Sequence, residues 1–194
     1  MQQDDKDQLP IPPSFYSFDT KTKFERCIEC DKYLLDESTE YFIEKAIKNY
    51  DGFSATDVIF EYAICLSCAE RMRDAMSKES FKNLQEFFMQ NIDFNKRMRL
   101  MQLHPHEPEK WMSECMITDK SKSDLREYQI YAHCKGENLV MSQMPYIVSG
   151  EALEAVSELL SDETLDELDD FSKRHFGPPP ELEEDLPIRR VLMI

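Results

Sequence analysis

The sequence predicts an α+β fold: an N-terminal cysteine-anchored module of turn, β-hairpin and helix, a helical connector, then a second hairpin with helices. Three observations carry this prediction. Two Cys-x-x-Cys pairs, Cys27-Ile-Glu-Cys30 and Cys65-Leu-Ser-Cys68, stand 34 residues apart. Runs rich in branched and aromatic residues come in pairs, 40–49 with 57–64 and 128–134 with 139–148. Between and after those pairs, apolar residues recur at three- or four-residue steps, the spacing of one helix face.

The elements follow in order. Residues 1–22 are polar and carry Pro10, Pro12 and Pro13, so a loosely ordered lead-in is expected. The segment 23–103 opens with a tight turn at Cys27–Cys30, followed by strands 40–49 and 57–64 around an Asp51-Gly52 turn. From Ser67 the period becomes helical through Met72, Met76, Phe81, Leu84 and Phe88. Ser77 and Ser80 are both good helix caps, so a break is expected near 77–80. The stripe runs on through Ile92, Phe94, Met98 and Met101 until His104-Pro105 stops it. The segment 104–176 holds strand 128–134, a Lys135–Asn138 turn, a returning strand 139–148, and helices 151–160 and 163–175. The segment 177–194 reads as a proline-rich acidic tail with an apolar end, Val191–Ile194, suited to docking on a sheet edge.

Two-residue spacing lets both thiolates of a pair bend around one ion, and two pairs complete the tetrahedral sulfur shell that zinc prefers. Cys27, Cys30, Cys65 and Cys68 are therefore the candidate ligands of one structural Zn²⁺. At the start of a helix, unpaired N–H groups and the helix dipole favour thiolate at Cys65 and Cys68. Four sulfur ligands leave no open position for substrate. The order of turn, hairpin and helix, with these four cysteines at its joints, resembles the treble-clef zinc-finger group over residues 24–80. That resemblance implies a structural metal and a fold that hosts many functions. The nuclease members of the group carry a histidine on the hairpin and another on the helix, and no histidine occurs between Cys30 and Cys68.

Charge narrows the partners. The formal net charge is −16, and residues 151–194 carry 13 acids against 4 Lys or Arg. So acidic a chain repels phosphate backbones, which makes nucleic acid an unfavourable partner and a basic protein surface a favourable one. The short basic run Lys96–Arg99 is expected to be a solvated helix face, as are the acids of 151–170. The Met89, Met98 and Met101 stripe with Phe87 and Phe88 is expected to pack into the core, a partner groove being the other reading. There is no signal-peptide pattern at Met1–Lys6 and no apolar run of about 20 residues, so a cytoplasmic location is expected, where paired thiols stay reduced.

The remaining chemistry is thin. His104, His106, Cys115 and Cys134 are the residues for an alternative second metal site, which would make the protein a metal-dependent enzyme. His133 and Cys134 are adjacent on a strand and point to opposite faces, which argues against a dyad. Zinc–thiolate chemistry also allows a redox switch, in which oxidation of Cys27/Cys30 or Cys65/Cys68 releases the ion. A faint internal echo sets Glu29-Cys30 and Glu40–Ile43 beside Glu114-Cys115 and Glu127–Ile130, as if a second copy had exchanged its metal for a hydrophobic core. The function these features predict is a non-catalytic, zinc-stabilised protein acting through protein–protein contacts.

Overall fold

Within the segment expected to be a loose lead-in, Gln8–Pro10 form a three-residue strand (β1), and residues 1–7 lie outside the described residues. The computed structural model describes residues 8–50 and 56–177. The Asp51-Gly52 turn and the tail beyond Gly177 lie outside the described residues. β1 pairs antiparallel with Asn138–Val140 (β5), and Ile11 and Phe15 follow it into the core. This corrects the expectation for residues 8–22: burying two large apolar side chains, worth about 2 kcal/mol each, offsets the ordering of a short segment.

The central strands are Glu40–Asn49 (β2) and Glu127–Lys135 (β4), and the expected strand positions hold to within a residue or so. β2 pairs antiparallel with Thr56–Cys65 (β3) on one side and with β4 on the other. The sheet order is β1-β5-β4-β2-β3, with Tyr146–Ser149 (β6) also pairing β4. Strands from segments 23–103 and 104–176 thus share one sheet. The expected returning strand 139–148 is in fact two pieces that both pair β4: β5 also takes β1 on its other edge and β6 pairs β4 further along, with Pro145, which has no N–H to give a ladder, between them. Gly136, at φ +54°, starts the tight link from β4 to β5. A Cβ there would sit 3.0 Å from Glu37 Cα.

Helix Leu66–Ala75 (α1) starts where β3 ends. The expected break follows, and Ser77 caps Lys78–Asn91 (α2) by accepting from the Ser80 N–H. The sequence pattern hides a second break: Asp93 accepts from Lys96 N–H and starts Phe94–Leu103 (α3). A single turn, Pro108–Trp111 (α4), leads to the second half. Ser149 and Ser161 cap Gly150–Ser157 (α5) and Asp162–Phe176 (α6). Two expectations about α2 and α3 are corrected. Met89 and Met98 face outward, at 67% and 57% exposure, alongside exposed Phe81, Phe94 and Leu103. Arg97 is pinned instead of solvated: it lies over the Trp111 ring and donates to the Gln143 and Pro145 carbonyls at 2.7 Å each. The acids Glu151, Glu154, Glu158 and Asp162 are exposed as expected. Among the described residues no helix is long and apolar enough to cross a membrane.

The register between β2 and β4 reveals a pseudo-twofold arrangement. Glu40 faces Lys135 at one end and Glu127 faces Lys48 at the other, so the two strands are related about the Glu44–Tyr131 pair. Their hairpin partners obey the same relation: Tyr41 faces Cys65 in β3, and Tyr128 faces Ser149 in β6. Each half runs turn, hairpin, helix. Side chains of Phe42, Glu44 and Ala46 share one face of the sheet, over which Phe171 and Phe176 of α6 pack on Phe60 and Tyr62. The other face holds Tyr41, Ile43 and Lys45, and Lys45 donates to the Tyr16 carbonyl at 2.6 Å.

Candidate metal centre

Cys27 begins a closed turn. Its N–H donates to the Lys32 carbonyl and its carbonyl accepts from Asp31 N–H, both at 2.9 Å. The turn closes because Asp31 takes φ +58°, a left-handed conformation that aspartate tolerates better than most residues. Ile28 N–H donates to the Ala63 carbonyl at 2.9 Å, which fastens the turn to β3. Two residues further along β3, Cys65 ends the strand as the N-cap of α1, and Cys68 lies in the first helical turn.

These elements bring Cys27, Cys30, Cys65 and Cys68 together with all four Sγ atoms within 4.8 Å of one another. Cys30 and Cys65 sulfurs are 3.7 Å apart. A disulfide needs about 2.05 Å, whereas sulfurs about 2.3 Å from a tetrahedral zinc stand roughly 3.8 Å apart. Three of the four are buried and Cys30 is exposed. The group could therefore hold one metal ion, and it is the only such group among the described residues.

The sulfurs are prepared unequally. Burial opposes ionisation of Cys65, but the Ser67 hydroxyl and the Cys68 N–H and thiol outweigh it and bring Cys65 down to about 6. Burial raises Cys27 against hydrogen bonds from the N–H groups of Cys65, Cys30 and Glu29. Burial and the neighbouring sulfurs raise Cys68, whose Sγ accepts from Arg71 Nη2 at 2.9 Å. One thiolate forms readily and the last resists, because negative charge accumulates in a small space; a dication removes that penalty. The turn is braced from α6, since His175 Nε2 meets Glu29 Oε1 at 2.8 Å.

The second half repeats this geometry without the ligands. Cys115 N–H donates to the Lys120 carbonyl at 2.9 Å, Asp119 N–H donates to the Cys115 carbonyl at 3.0 Å, and Met116 N–H donates to the Ile147 carbonyl at 3.0 Å. Asp119 takes φ +58°, as Asp31 does. Ser149 N–H donates to Cys115 Sγ at 3.2 Å, as Cys65 N–H donates to Cys27 Sγ at 3.3 Å. Cys115 therefore corresponds to Cys27, a correction to the echo read from sequence, which aligned it with Cys30. Thr118, Ser149 and Ala152 stand where Cys30, Cys65 and Cys68 stand. Burial opposes ionisation of Cys115, yet the Ser149 and Thr118 hydroxyls lower it.

The remaining sequence candidates are scattered. His104 ends α3 with Nδ1 2.7 Å from Glu107 Oε1, and its carbonyl accepts from Trp111 Nε1. His106 is exposed in the following turn. Cys134 is buried on β4 opposite Tyr41, while His133 points to the other face and meets Glu40 at 3.2 Å.

Sequence reasoning passed over Glu44. It is only 3% exposed, accepts from Tyr62 Oη at 2.5 Å through Oε2, and has no hydrogen-bond partner at Oε1. The available signal was a charged residue in a strand whose neighbours on the same face, Phe42 and Ala46, are apolar. Burial raises its carboxyl to about 8, against the lowering effect of Tyr62. An unfolded glutamate releases its proton at about 4.3, so between there and about pH 8 the folded chain holds a proton that the unfolded chain has lost. Stability should therefore fall as pH rises through that window, by up to about 1.4 kcal/mol per pH unit. The facing Tyr62, Tyr131 and Tyr146 are raised by burial and stay neutral there, and Arg97 stays charged. Glu70 and Arg73 of α1 lie at the rim. His133, lowered by burial, contributes an opposite slope just below about pH 6.5. Urea unfolding at pH 5, 6, 7 and 8 checks this: Glu44→Gln should flatten the decline, and an equally steep decline in the variant would exonerate Glu44.

No family model matches this chain, and no curated protein or solved structure matches it.

Proposed function

We propose that Cys27, Cys30, Cys65 and Cys68 hold one structural zinc ion in a treble-clef arrangement, and that the protein is a binding module without catalysis. The convergence of the four sulfurs, with backbone N–H groups aimed at them, carries this reading. The sulfur donor set favours zinc among the common divalent ions, and four protein ligands leave it no position for substrate. Retention of zinc by free thiols suits the reducing cytoplasm.

The partner is a protein. Phe81, Met89, Phe94, Met98 and Leu103 leave large apolar side chains exposed on α2 and α3. Methionine side chains adapt to varied apolar partners. The net charge of −16 selects a basic partner surface and disfavours nucleic acid. The test is elemental mass spectrometry on protein purified in reducing buffer without a histidine tag. One zinc per chain is expected. Freshly reduced protein with no metal would overturn the site, and two metals per chain would overturn the single-site reading in favour of an enzyme or a second centre.

A further inference from the structure

A cavity of about 230 Å³ opens between α1 and the central strands, over the sheet face that carries Phe42, Glu44 and Tyr62. Its walls are apolar, with Ile64, Met72, Met76, Met144 and Leu168 among them. Apolar cavities of about 150 Å³ already accept benzene, so the space suffices for a ligand of several carbons. The polar groups are few and specific. Glu44, Phe42, Tyr62 and Tyr131 are among the residues that line it, the Glu44 carboxyl being enclosed by the protein.

Glu44 is the feature that selects the ligand. Its Oε2 is satisfied by Tyr62, while Oε1 is buried with no partner. A buried acceptor left unpaired is costly, about 1–3 kcal/mol and more for a charged one. Among the described residues neither neighbouring cation pairs with Glu44: Lys45 projects from the other sheet face to Glu61 at 3.0 Å, and Arg73 sits exposed at the rim. A carboxylate amid aromatic faces is the setting in which an ammonium gains both a charge-assisted hydrogen bond and cation–π attraction. An ammonium draws Glu44 into its ionised form, in which a carboxylate ligand is repelled and a neutral alcohol gains only one ordinary hydrogen bond.

We infer that this cavity is a binding site for a small apolar ammonium ion, its head on Glu44 Oε1 and its hydrocarbon body against the methionine-rich wall. The site shares α1 with the cysteine cluster but is lined by none of its four cysteines. It lies beside the pseudo-twofold axis, where the second half supplies Tyr131 opposite Glu44, so the two halves build it together.

Calorimetric titration of the full-length, metal-loaded protein at pH 8 tests the inference, with hexylammonium, hexan-1-ol and hexanoate as probes. Hexylammonium is expected to bind one to one and at least tenfold more tightly than hexanol, with no heat from hexanoate. Glu44→Gln should bring the amine down to the level of the alcohol. Met76→Trp, which fills the mouth from α1, should abolish both. Equal binding of amine and alcohol to the unaltered protein, no binding of either, or tight amine binding that survives Glu44→Gln would overturn it. The amine-to-alcohol ratio in the unaltered protein decides the matter even if the glutamine variant does not fold.

Discussion

Cys68→Ser is expected to remove the metal and most of the stability together. Cys68 belongs simultaneously to the first turn of α1 and to the sulfur cluster, and its neighbours Cys65 and Cys27 belong to β3 and to the closed turn. The ion would therefore tie the closed turn to the β3–α1 junction, across the 34 residues that separate the two cysteine pairs. Metal binding of this kind contributes about 10–16 kcal/mol in small zinc domains, comparable with the 5–15 kcal/mol net stability of a whole domain. Here much of the chain has its own core, with Tyr41, Ile64, Ile147 and Phe171 almost fully buried, so partial structure should survive. A loss of several kcal/mol, corresponding to a melting shift of roughly 10 °C or more, is the expected outcome. Cys134→Ala, at a buried cysteine outside the cluster, should leave metal content unchanged and lower melting by only a few degrees. Thermal melts with metal analysis on both variants check this. A Cys68→Ser protein that melts like the unaltered chain would remove the case for a structural metal.

The second large effect is a gain. Thr118→Cys, Ser149→Cys and Ala152→Cys, introduced together beside Cys115, should convert the second turn into a four-sulfur site and raise metal content by one ion per chain. The backbone is already shaped for it: both turns close with the same pair of hydrogen bonds and the same left-handed aspartate, and Ser149 caps α5 as Cys65 begins α1. Serine-to-cysteine and threonine-to-cysteine changes nearly conserve volume, and Ala152 needs room for one sulfur. Loss of the Ser149 cap costs about 1 kcal/mol, which metal binding exceeds. Cobalt substitution, read through the thiolate charge-transfer band, distinguishes one tetrahedral centre from two. A folded triple variant that binds no additional ion would show that the likeness of the two turns stops at the backbone.

The cysteine spacing made the first turn, the hairpin and the start of α1 readable, because ligand chemistry demands that geometry locally. Strand positions were readable for a similar reason: β2 and β4 have side-chain patterns that suit only extended backbone. The α2–α3 break was missed because apolar periodicity continues across Ile92 and Asp93, and only the Asp93 cap marks the boundary. The β5–β6 split was missed because both pieces are apolar and both pair β4, while β1, the strand that β5 alone adds, is remote in sequence.

The second turn shows the limit most clearly. Cys-Ile-Glu-Cys-Asp-Lys and Cys-Met-Ile-Thr-Asp-Lys share three of six residues, too few to set the alignment, while their hydrogen bonds coincide. Backbone geometry tolerates exchange of side chains that a ligand set does not. Likewise, the apolar same-face neighbours Phe42 and Ala46 give only a slight local hint at Glu44, since its burial depends on helices packed from far along the chain. Sequence alone determined which elements form and which four thiols could meet, because propensity, capping and ligand spacing act over a few residues. Tertiary structure decided that two halves share one sheet about Glu44 and Tyr131, that large apolar side chains stay uncovered on α2 and α3, and that a carboxyl with one unpartnered oxygen is buried beside a cavity. Those outcomes are set by strand register and helix packing, which join residues that no local pattern connects.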